Sequence, residues 1–322
     1  MKRIGKYGLG VLLILAGVAF WQRETIQVWW YAQKLEAAAD ADRQGYADLL
    51  AAHDRVGFIR LIDLWSRDHP ELCDSIRLAL ENRGKQWGDK NPLFEQLATV
   101  LLEKQPRFST SGQRSFLELL PMILNQVPEE TAVKFRPTIL AALSHSDPEI
   151  RAQAVVLGMR PDQNQLELMV PMLKDPAPEV RRAAMLAVGP ADGDREPLIS
   201  SDELLQWLHD PDPEVRRNCE IALGTRGLSG VEIQLGKQIT HRSPVERLKM
   251  LLDLPDQEDF HLTPWLERLS RDPDSAVRAG AARVATERGI DFQDRLAEMI
   301  STDPDQTVRK IAEHYQKLAP RR

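Results

Sequence analysis

The chain has 322 residues, of which 28% are charged and 6% aromatic, with a formal net charge of −6. That length is ample for a buried core, and the acidic balance argues against a nucleic-acid partner, which would select a basic stripe. Two cysteines, Cys73 and Cys219, cannot make a disulfide framework, and their separation in the chain predicts two buried thiols.

Residues 1–32 open with Lys2, Arg3 and Lys6, and no further charge appears before Arg23. The 16 uncharged residues between them include Leu12, Leu13, Ile14 and Leu15. As a helix such a run spans about 24 Å, short of a ~30 Å hydrocarbon core. Snorkelling by Lys6 and Arg23 and local thinning can close that gap. Trp21, Trp29, Trp30 and Tyr31 suit a membrane interface. Three readings stay open: an uncleaved single-pass anchor, a secretory signal cleaved near Gly17-Val18-Ala19, and a buried soluble helix. The basic flank puts the N-terminus inside. The rest of the chain is then expected on the exported side of a bacterial cytoplasmic membrane, or periplasmic or secreted after cleavage. No cysteine follows the run, which excludes lipoprotein attachment.

Residues 33–55 are polar and helix-prone, the composition of a helical stalk. Residues 56–128 then read as irregular helix pairs. Residues 56–84 hold one pair about the turn Arg67-Asp68-His69-Pro70-Glu71. Residues 93–126 hold another about Phe108 to Gly112, separated from the first by the Gly- and Pro-marked loop 84–92.

From residue 129 to the C-terminus one phrase recurs. It reads SDPEIRAQAVVLG from Ser146, DPAPEVRRAAMLAV from Asp175, DPDPEVRRNCEIAL from Asp210, DPDSAVRAGAARVA from Asp272 and DPDQTVRKIAEHY from Asp303, with a degenerate SPVERLKMLLDL from Ser243. Aligned on Arg151, Arg181, Arg216, Arg247, Arg278 and Arg309, the copies lie 30, 35, 31, 31 and 31 residues apart, a stacked-repeat period. Each phrase starts a helix. In Asp147-Pro148-Glu149 and Asp212-Pro213-Glu214 an Asp caps, Pro takes the first helical position and Glu meets the positive end of the dipole. Ser243-Pro244 keeps a cap and the proline, and Ala177 loses the cap side chain with Asp175 nearby. Apolar residues then follow the helical period, as in Val180, Ala184, Ala187 and Val188. A shorter apolar segment precedes each turn, so one repeat is helix, turn, helix.

The turn, the paired helices and the period resemble the HEAT repeat, in the short form of phycobilisome-lyase-type HEAT-like repeats. The resemblance covers residues 135–315 well and implies an all-α fold, an α-solenoid of stacked helix pairs. It also implies a ladder in which the arginine column and Asp147, Asp212, Asp274 and Asp305 bridge neighbouring repeats. The alternative, a row of anion sites, is the weaker account, because each arginine has an acidic or hydroxyl neighbour to neutralise it.

Sequences that carry chemistry are sought without success. Asp210, Asp212 and Glu214 start like a calcium loop, but Val215 and Ile221 replace its glycine and glutamate. Gly230 to Lys237 is one residue too long for a phosphate loop. No His-Glu dipeptide, HExxH, GxSxG, CxxC or GxGxxG occurs, and no two histidines pair at metal-binding spacing. No catalytic residue, cofactor or metal is therefore expected.

A binding surface is what remains. In HEAT-like arrays the second helix of each pair lines the concave face. Two and five residues past the first apolar position stand Arg182, Met185, Arg217, Glu220, Lys310 and Glu313, with Ala152, Val155, Leu248, Leu251, Ala279 and Ala282 in the other repeats. Groove and inter-repeat core are both open for these positions. The expected function is a membrane-anchored, non-catalytic scaffold or adaptor for a protein or peptide; an enzyme or maturation factor of the lyase class is the alternative.

Overall fold

The computed structural model describes residues 23–163, 165–190, 197–252 and 262–318, and among these it contains helices and no strand. The chain divides into two compact units, Met1–Ala187 and Val188–Arg322. The apolar run with Leu12, Leu13, Ile14, Leu15 and Trp21 lies outside the described residues. No helix among those described is long and apolar enough to cross a membrane.

In the first unit α1 (Arg23–Ala37) packs on α2 (Asp40–Ala51). Three helix pairs follow: α3 (Asp54–Leu64) with α4 (Pro70–Gln86), α5 (Pro92–Lys104) with α6 (Thr110–Gln126), and α7 (Glu129–Val133) leading into α8 (Arg136–Ala142) and α9 (Pro148–Gly158). A 3-10 segment, Leu166–Lys174, and α10 (Pro178–Val188) complete the run. The second helices stack in a row, α2 on α4, α4 on α6 and α6 on α9, while α3 packs on α5. The stretch 33–55 is thus not a free stalk. Leu35, Ala47, Leu50 and Ala51 are buried, because its few apolar residues fall on one side of the helices.

Caps and close approaches fix these pairs. Asn91 accepts a hydrogen bond from the Leu93 amide at the start of α5, and Ser109 one from Gly112 at the start of α6. Trp65 is fully buried, donates from its indole nitrogen to the Cys73 carbonyl, and meets Phe108 edge-on. A Cβ on Gly112 would lie 2.1 Å from the Trp65 carbonyl oxygen, so only glycine lets α6 approach there.

The second unit repeats the plan. A capping box of Ser200 and Glu203 starts α11 (Ser201–Leu204), which runs into a 3-10 segment, Leu205–His209, ahead of α12 (Pro213–Thr225). A second box, Ser229 with Glu232, starts α13 (Gly230–Ile239), paired with α14 (Pro244–Met250). Then come α15 (Thr263–Leu269) with α16 (Ser275–Glu287), and α17 (Gln293–Thr302) with α18 (Gln306–Leu318). The second helices again stack, α14 on α16 and α16 on α18. This α-solenoid packing explains the sequence period.

The longest repeat interval carries its surplus in 189–201, of which 191–196 lie outside the described residues. Both ends are held by Arg226, whose guanidinium donates to the carbonyls of Val188, Gly189 and Ile199. The acidic stretch 255–261 is also outside them.

Candidate functional site

The six repeat arginines all sit one turn into a helix, and each donates Nη1 to the carbonyl six residues earlier. The acceptors are His145, Asp175, Asp210, His241, Asp272 and Asp303 in turn. The side chain of that same residue accepts the amide two positions on. Asp175 takes Ala177, Asp210 takes Asp212, Asp272 takes Asp274 and Asp303 takes Asp305; His145 and His241 do the same through Nδ1. The turn before each second helix is therefore tied twice.

Arg151, Arg247 and Arg278 also reach the next repeat. Arg151 grips Asp175 with Nε and Nη2 at 2.8 Å each, Arg247 grips Asp272 at 2.7 Å each, and Arg278 grips Asp303 at 2.8 and 2.9 Å. These are two-pronged, charge-assisted bonds. The second and third pairs are buried on both sides. Hydrogen bonding from Arg278 holds the Asp303 carboxyl below the usual carboxylate range, against the upward push of burial. Burial also raises Asp175, but hydrogen bonds from Arg151 and the Ala177 amide bring it below that range.

The acids in this ladder differ from those expected. Asp212, Asp274 and Asp305 cap helices, each accepting backbone amides two or three residues on. For Arg247 and Arg278 the aspartate two positions before the cap, Asp272 or Asp303, takes the arginine. Asp147 does both: one oxygen caps at Glu149 and the other meets Arg114 of α6 at 2.7 Å. At Arg216 the ladder is interrupted. The next repeat offers His241 where others have aspartate, and Arg216 makes no ion pair among the described residues. There His209 lies edge-on to His241, and its Nε2 is 2.8 Å from the Lys237 carbonyl and 3.0 Å from the Thr240 hydroxyl.

The candidate groove residues divide by register. Four residues past the arginine, Val155, Met185, Leu251 and Ala282 are buried core. Glu220 is half-buried, and Glu313 is exposed and paired with Lys317 at 2.8 Å. One residue past the arginine, Ala152, Arg182, Leu248 and Ala279 are half-buried, while Arg217 and Lys310 are exposed.

The position five past the arginine was not singled out in the sequence, and it is the informative one. Val156, Leu186, Ile221 and Leu252 stand there 45%, 54%, 55% and 66% exposed. At 100° per residue this position faces away from the core stripe. Val156, Leu186 and Ile221 stand on the solvent side of their helices, and Leu252 stands just past the end of α14. The signal was present in the aligned phrases, since helical period alone predicts polar residues there. In the second unit Leu252 joins Leu248, Ala279, Gly280 and Ile311 along a groove of about 590 Å³ across α14, α16 and α18.

A second cleft in that unit, about 630 Å³, is lined by charged and apolar side chains, and there Arg247 pairs with Asp272 and Arg268 with Asp202 at 2.9 Å. Both cysteines are buried, and burial pushes Cys73 up to about 11 and Cys219 up to about 12, so neither is a thiolate nucleophile. Among the described residues no three His, Cys, Asp or Glu side chains are grouped to hold a metal.

Residues 136–224 match the family model for HEAT repeats. The match is to HEAT repeats in general and does not reach the lyase type. A crystal structure of an engineered protein aligns with a TM-score of 0.38 at 17% identity, covering 90% of this chain and 87% of that one. A search of curated proteins gives no match.

Proposed function

Because the chain carries HEAT repeats, we propose that it is a non-catalytic scaffold that binds a protein or peptide partner on the exposed faces of its second helices. The observation behind this reading is the exposed aliphatic residue five past the repeat arginine in each unit: Val156 and Leu186 in the first, Ile221 and Leu252 in the second. Exposed apolar side chains repeated in register mark interaction surfaces more than scattered ones do. A single aliphatic side chain on a surface needs no explanation; a large aliphatic residue at the same register position in four repeats does.

In the same proposal the N-terminal segment holds the scaffold at the bacterial cytoplasmic membrane, with the repeats on the exported side. The first described helix supports this, because Ile26, Trp29 and Trp30 are exposed at its start. Aromatic side chains of this kind favour the headgroup level of a bilayer.

Gentle crosslinking of intact cells, followed by purification through a C-terminal tag, tests the scaffold. One protein recovered in near-constant ratio supports it. A coloured or small-molecule ligand with no protein rejects it. Alkaline extraction of membranes tests the anchor: the full chain should stay in the pellet, and release to the supernatant rejects the anchor.

A further inference from the structure

The groove across α14, α16 and α18 differs chemically from the rest of this acidic chain. Its floor is aliphatic and small: Leu248, Leu252, Ala279, Gly280 and Ile311. A Cβ on Gly280 would come within 2.9 Å of Leu251 and 3.0 Å of Leu248, so glycine there brings α16 close to α14 and keeps the floor open. Its polar rim is basic. Arg283, Lys310 and His314 line it, and no carboxylate does. Lys310 is exposed and forms no ion pair among the described residues. Arg283 reaches Glu287 only at 3.9 Å, and its Nε is buried without a hydrogen-bond partner. The groove thus offers apolar contact and unspent donors, in a chain whose net charge is −6.

From this charge complementarity, and resting on the scaffold reading above, we propose that the groove receives an amphipathic helix of a partner protein. That helix presents aliphatic side chains to the floor and Glu or Asp side chains to Arg283 and Lys310. Neighbouring packed helices stand about 10 Å apart, so three cross about 20 Å, the length of roughly 13 helical residues. Apolar residues at i, i+3, i+4 and i+7 would face the floor, as in other helix-in-groove recognition. The rim then selects by charge, since carboxylates satisfy the basic groups that water otherwise solvates.

The test uses the full chain and three fluorescein-labelled synthetic helices of equal length. One carries Leu at the floor positions and Glu on its flanks; a second replaces Glu by Lys; a third replaces Leu by Ala. Anisotropy at low salt should show the Glu/Leu peptide binding at least tenfold more tightly than either twin. Raising salt should weaken it. Lys310→Glu together with Arg283→Glu should reverse the charge preference while the unfolding transition stays in place. Equal binding of the Glu and Lys peptides, or no binding of either, overturns the proposal. A concentration-dependent dimer that Lys310→Glu abolishes also overturns it, because a second copy is then the occupant. If the peptides fail while crosslinking still captures a stoichiometric protein, the groove assignment falls and the scaffold reading stands. If both fail, the scaffold reading falls as well.

Discussion

Arg278 and Asp303 lie 25 positions apart in sequence, and the guanidinium of one grips the carboxylate of the other at 2.8 Å. The same guanidinium holds its own turn through the carbonyls of Asp272 and Pro273. One side chain therefore closes a turn and joins two repeats. Removing it leaves a buried carboxylate unpaired.

Arg278→Ala should accordingly destabilise the second unit by roughly 3 kcal/mol, the cost of breaking a buried pair from one side. Arg216→Ala should cost only about 1 kcal/mol, because Arg216 gives up hydrogen bonds to two carbonyls and no ion pair. Urea unfolding of the two variants checks the difference. In a repeat array, loss at one junction should also make the transition broader.

The ladder predicts the direction of acid sensitivity. Asp303 and Asp175 have folded carboxyls below their usual range, so the unfolded chain binds protons first as pH falls. Their stabilisation is complete above the ordinary value of 3.8 and is lost as pH drops through the depressed folded values. Asp303→Asn should flatten this limb of the stability–pH curve in urea titrations between neutral and strongly acidic buffer.

His209 acts at higher pH. Burial pushes its imidazole below the ordinary 6.5, even though the hydrogen bond with the Lys237 carbonyl favours the charged form. Stability from the neutral ring is full above 6.5 and declines as pH falls through the depressed folded value. The urea midpoint should therefore be lower at pH 5 than at pH 7.5, and His209→Gln should reduce that difference.

Met185 and Leu186 are neighbours with opposite expected outcomes. Met185 is fully buried, so Met185→Ala should cost about 2–5 kcal/mol. Leu186 is more than half exposed, and Leu186→Ala should change stability by less than about 0.5 kcal/mol. Chemical denaturation of the two single variants decides this.

Much of the fold was legible because turn chemistry repeats. A capping aspartate three residues before the core Ile or Val and four before the arginine marks the start of α9, α12 and α16, with proline at the first position of the first two. The ladder was legible in its arginines but not in its acids. Asp272 and Asp303 stand two residues before the capping aspartates Asp274 and Asp305, and sequence spacing alone does not show which carboxylate turns toward its neighbour. For 33–55, few apolar residues suggested a stalk, yet Leu35, Ala47 and Leu50 suffice to pack it. The counted positions divide: Leu248, Ala279 and Lys310 line the groove of the second unit. Met185 and Leu251 look like groove residues when counted from the first apolar position, whereas Leu186 and Leu252 are the exposed ones.

The central claim is that the exposed aliphatic positions of the repeats, Leu186 in the first unit and Ile221 in the second among them, bind the partner. The most direct measurement compares wild type with the Leu186→Asp, Ile221→Asp double variant in the in-cell crosslinking experiment, both carrying a C-terminal tag. The account predicts a stoichiometric protein captured by wild type and lost from the variant, with unfolding midpoints that agree. Undiminished capture by the variant would contradict it.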